Sequence, residues 1–122
     1  MTDKPIEEPT PQESLDPENW DEFRAQAHHM LDAAINRLQD ARQGRVWTEL
    51  PGEIKDTLKA PLPREGWGVP DVMGRMEALL PYGAGNTNPR FFGWVHGSGT
   101  PANLLAEIAA SAMNANVGGR DH

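Results

Sequence analysis

A chain of 122 residues with no cysteine has room for one domain with a modest core and excludes disulfides and thiolate chemistry. No apolar run approaches the roughly 18 residues of a membrane span, and the N-terminus lacks the charged-then-apolar pattern of a signal peptide, so a cytoplasmic protein off the membrane is expected. The formal charge of −7 is lopsided: eight acids against Lys4 in the first 22 residues, then ten acids and ten bases, which leaves no basic patch for nucleic acid.

Residues 1–15 carry Pro5, Pro9 and Pro11 among acids with little apolar content, which predicts a disordered acidic arm. Asp16-Pro17-Glu18 has the form of a helix start, with a cap, a proline and an acid in the first turn. Trp20, Phe23, Ala27, Met30, Leu31, Ala34, Ile35 and Leu38 then recur at three- and four-residue steps, predicting one helix that ends near Gly44. At 1.5 Å per residue it would be roughly 40 Å long. So long a stripe needs a substantial partner surface.

Pro51 opens a short second helix through Ile54 and Leu58, closed by Ala60-Pro61-Leu62-Pro63. A Pro/Gly loop containing Trp67 leads to a third helix from Val69-Pro70-Asp71, with Val72, Met73, Met76, Leu79 and Leu80, stopped by Pro81. Gly83 to Gly99 reads as extended, with a short strand at Phe91-Phe92. Thr100 caps and Pro101 opens a last helix to about Met113, in which alanines at 102, 106, 109 and 110 permit close approach of another helix. These helices and one glycine-rich stretch have no evident way to cover one another, and the sequence reads as cut.

Chemistry concentrates in Phe91-Phe92-Gly93-Trp94-Val95-His96-Gly97-Ser98-Gly99-Thr100. An aromatic wall, a titratable histidine and a helix start that suits an anion lie close together in the chain. Each has a plainer alternative. His96 serves equally as a hydrogen-bonded loop histidine, Phe91, Phe92 and Trp94 as core, and Gly97 to Thr100 as a turn and cap. Asn103 and Glu107, one turn apart, orient a ligand or simply face water. His28 and Asp32 also lie one turn apart, but two ligands make no structural zinc site, so no metal is expected there and His28, His29 and Asp32 read as a solvated face. No catalytic triad, carboxylate pair or cofactor lysine assembles. Lys55 and Lys59 sit on a short polar helix that offers no desolvation. On residues alone this is half a site without a catalyst.

The stretches Asp16-Pro17-Glu18-Asn19-Trp20, Val46-Trp47, Leu62-Pro63, Asn88-Pro89-Arg90-Phe91-Phe92-Gly93-Trp94, Pro101-Ala102-Asn103-Leu104-Leu105-Ala106-Glu107 and Asn116-Val117-Gly118-Gly119 carry a resemblance. The chain resembles, over residues 16–122, the N-terminal segment of the pyridoxal-phosphate-dependent group II amino-acid decarboxylases of the aromatic-amino-acid type. The resemblance implies a mainly α fold: a helical N-terminal extension of a fold type I (aspartate aminotransferase-like) α/β enzyme, truncated before the large domain. It implies a homodimer acting on an amino-acid substrate, with Trp94, Val95, His96 and Gly97 lining the substrate and Asn116 and Gly118 reaching the partner subunit's pocket. Pyridoxal phosphate would belong to the parent enzyme. Its phosphate site and its lysine would lie beyond His122, so this segment is expected to be inactive alone. Asn88 departs from the family, which usually has histidine there. The reading that competes with the resemblance is a stand-alone helical module that binds another protein through its apolar stripes.

Overall fold

The computed structural model describes residues 14–93, 95–97, 99–115 and 118. They are mainly helical, and no strand occurs among them. Helix α1 spans Trp20–Asp40, α2 Gly52–Leu58, α3 Val69–Leu79, and α4 Pro101–Met113, with a 3₁₀ turn at Leu80–Tyr82 between α3 and the loop that precedes α4. The acidic arm expected at residues 1–15 falls almost wholly outside the described residues.

The predicted helices are all present, but the first begins later than its sequence signal. Asn19, not Asp16, is the cap of α1: its side-chain oxygen accepts from the amides of Asp21 and Glu22 at 3.0 and 3.1 Å. The Asp16 amide instead donates to the Ser14 hydroxyl at 3.1 Å in a local turn. Asn19 outcompetes Asp16 because one oxygen satisfies two of the orphan donors at the helix start. With 21 residues α1 is about 32 Å long, shorter than the stripe suggested.

The third α-helix ends at Leu79, just ahead of Pro81 as its sequence predicts, and the chain runs on through the 3₁₀ turn, which proline tolerates near the start of a helical segment. Helix α4 follows its sequence signals: the Thr100 hydroxyl accepts from the Asn103 amide at 3.3 Å, and Asn114 ends the helix in the left-handed region at φ 44°. The expected strand at Phe91-Phe92 is absent. These residues lie in irregular chain with no ladder partner among the described residues.

Helix α3 and its 3₁₀ extension pack on α1. Met73, Glu77 and Leu80 recur at helical spacing on a half-buried face, and His29 Nε2 meets Glu77 Oε2 at 2.8 Å across the pair. His29 stays on the solvated face expected of it, with its side chain 62% exposed, and bridges the two helices from there. Arg37 Nη2 donates to the Pro81 carbonyl at 3.4 Å, a second tie at the far end. The Trp67 loop is folded back by Arg75, whose guanidinium carbon lies 3.9 Å from the indole centre.

What these elements do not make is a closed core. Among the described residues Ala41 is the one buried hydrophobic residue, and no helix holds a buried side chain. Trp20, Ile35, Val72, Met76, Leu105, Ile108 and Met113 are exposed. Helix α4 carries a single charge, Glu107, and a helix so nearly apolar all round is stable in water only when more than one of its sides is covered.

One surface pair has a titration consequence. Lys55 Nζ lies 2.9 Å from Glu49 Oε1, and its hydrogen bond and charge lower the Glu49 pKa below its ordinary 4.5. A carboxyl lowered in the folded state contributes stability above its unfolded pKa and loses it as pH falls through the folded one. Glu49 is fully solvent-exposed, so the contribution is small. Lys55→Ala is expected to return the Glu49 carboxyl toward 4.5 in an NMR titration, leaving the neutral-pH unfolding midpoint in place.

Candidate functional site

The loop from Gly83 to Gly99, expected to be extended, is instead organised around a tight turn at residues 85–90. Gly85 begins it at φ +86°, a conformation that side chains rarely adopt. A Cβ there would run into the Val46 carbonyl oxygen, so the backbone approach itself requires glycine.

Asn88 is the centre of the turn. It is the one buried polar residue described, 5% exposed. Its side-chain Nδ2 donates to the Ala41 carbonyl at 2.7 Å, and its Oδ1 accepts from the Arg90 amide at 2.9 Å. Its backbone amide donates to the Gly85 carbonyl at 2.9 Å, and its carbonyl accepts from the Phe91 amide at 3.0 Å. Arg90 Nη2 donates to the Gly44 carbonyl at 2.7 Å. Two side chains of one turn thus bind carbonyls at and just beyond the C-terminal end of α1.

That end bears partial negative charge, which suits the guanidinium. Gln43, Gly44, Arg45, Val46 and Arg90 line an open cleft there of about 580 Å³. The Arg90 guanidinium is engaged there by the Gly44 carbonyl just beyond the end of the helix.

The residues expected to line substrate follow the turn. Asn86 Nδ2 donates to the Gly97 carbonyl at 2.6 Å and so draws that segment back to the turn. Phe91 is half-buried, and its ring meets His96 edge-to-face with centroids 5.8 Å apart. His96 and Val95 face outward, and Phe92 is 95% exposed. Val95, His96 and Gly97 therefore form one exposed edge, held by Asn86 and Phe91, rather than the wall of a closed cavity. Trp94, Ser98 and Asn116 lie outside the described residues. Gly118, the other residue expected at a partner's pocket, is described and exposed. Asn103 and Glu107 are exposed on α4.

A second concavity of about 460 Å³ lies between α1 and α4, lined by Ile35, Leu38, Gln39, Pro101, Ala102, Leu104 and Leu105. Apart from Gln39 its lining is apolar. It is the gap left where two apolar helix faces meet only loosely.

Among the described residues no three histidine, cysteine or acidic side chains come together as a metal site, and no helix is long and apolar enough to cross a membrane. Lys55 is occupied by Glu49, and Lys59 is exposed at the end of α2. Neither of these lysines is desolvated.

Sequence reasoning placed the centre of interest at His96 and missed the turn that holds it. The signal was present in Gly85-Asn86-Thr87-Asn88-Pro89, where glycine and two asparagines precede a proline. No protein-family model, no curated protein and no solved structure matches the chain.

Proposed function

We propose that this chain is the N-terminal, dimer-forming and substrate-lining segment of a cytoplasmic pyridoxal-phosphate-dependent group II amino-acid decarboxylase. The observation that carries the reading is the pairing of broad, uncovered apolar helix faces with a well-pinned turn that presents Val95, His96 and Gly97 at one edge. Uncovered faces suit a segment whose core is completed by other protein, and a pinned edge suits a wall for a ligand held mostly elsewhere.

Since the phosphate site and the lysine of such an enzyme would lie beyond His122, no chemical step is assigned to these residues. Their part is to orient. Val95, His96, Gly97 and Trp94 would meet the substrate's side chain or carboxylate, and Asn116 and Gly118 would reach the partner subunit's pocket. The native protein should absorb visible light through bound cofactor, lose that band with hydroxylamine, and release carbon dioxide from at least one amino acid. His96→Ala should alter kcat/KM unequally across a panel of amino acids. A native protein that binds no pyridoxal phosphate and releases no carbon dioxide would overturn the reading.

The same bare faces favour one other reading, a stand-alone helical module that binds another protein. It requires the 122-residue chain to be monomeric and to unfold cooperatively in urea.

A further inference from the structure

We infer that Asn88 is a positioning residue that fixes the 95–97 edge relative to the end of α1. The inference rests on the proposed reading only in taking that edge to face a substrate. The linkage is continuous. The end of α1 is gripped at Ala41 by Asn88 and just beyond it at Gly44 by Arg90, and the turn these residues close carries Asn86, which holds the Gly97 carbonyl. No other side-chain hydrogen bond among the described residues ties residues 95–97 to the rest of the chain. Where that edge sits is therefore decided by where the turn sits.

The chemistry asks for an amide at position 88. The buried side chain must donate to one carbonyl and accept from one amide on a short planar group, which asparagine does with its two ends. Aspartate keeps the accepting oxygen but places a second acceptor against the Ala41 carbonyl, and alanine leaves both partners unsatisfied.

The test is residue-resolved hydrogen exchange and backbone NMR relaxation on the native protein carrying Asn88→Asp, with kinetics on the same samples. The amides of Asn88, Arg90 and Phe91, which donate within the turn, are expected to exchange about tenfold faster and the order parameters of Val95, His96 and Gly97 to fall, while the central turns of α1 keep both. KM for the amino-acid substrate should rise several-fold with kcat nearly held, a split that general destabilisation does not produce. Should the position 88 variant fail to fold, Asn86→Ala cuts only the last tether and should lower the order parameters at 95–97 alone.

Unchanged order parameters at 95–97 in Asn88→Asp, or in Asn86→Ala, would overturn the inference. A loosened 95–97 edge in a protein that releases carbon dioxide from no amino acid would uphold the positioning role and overturn the decarboxylase reading. Turnover with unchanged order parameters would do the reverse.

Discussion

Ile108→Asp is expected to weaken the native assembly at least a hundredfold. Ile108 is 50% exposed on α4, beside Leu105 at 58%, on a helix whose one charge is Glu107. If a partner surface covers this face, the substitution forfeits about 1.5–3 kcal/mol of side-chain burial. It also strands a carboxylate against apolar neighbours, which costs at least as much again before the group relaxes or protonates. A loss above about 2.8 kcal/mol is a hundredfold in a dissociation constant. Sedimentation across a dilution series measures it directly. Glu107→Gln on the same helix is the control, expected to shift association little. An assembly indifferent to Ile108→Asp would mean that α4 stays bare in the native protein, contrary to the covering account.

Gly85→Ala is expected to be the most damaging single methyl group in the chain, lowering stability by about 2–3 kcal/mol. Two causes act together at this position. The φ of +86° disfavours any side chain, and the added Cβ has no room against the Val46 carbonyl oxygen. The backbone would have to withdraw from Val46, and Asn88, whose amide donates to the Gly85 carbonyl, would be pulled off Ala41 with it. Gly44→Ala makes the comparison sharp, because a Cβ there meets nothing within 4 Å. It should move the urea midpoint little, at an unchanged slope. Equal midpoints for the two variants would mean that the turn at 85–90 contributes little to the folded state.

The helices were legible because their signals are local. Proline at the first turn of α3 and of α4, threonine before Pro101, and apolar spacing all act within a few residues of where they are read. The start of α1 was misplaced because Asp16-Pro17-Glu18 has the form of a helix start three residues ahead of Asn19, and only the bonds made by Asn19 show where the helix begins. The turn at 85–90 was not legible because its stabilising partners are distant in sequence. Ala41 and Gly44 are 47 and 46 residues from the side chains that bind them. A run of glycine and asparagine announces a turn but does not say which helix end the turn will cap. His96 stood out for its neighbours, yet its position depends on Asn86 and Asn88, which no spacing rule links to it.

The intact mass of the native polypeptide, captured with an antibody to residues 16–45 and measured with and without dissociation of its assembly, bears most directly on the central claim. The account predicts a polypeptide several-fold heavier than 13.4 kDa that occurs as a pair, with the apolar faces of α1 and α4 covered. A stable, monomeric species of 13.4 kDa, cooperative in urea and free of any partner, would contradict it.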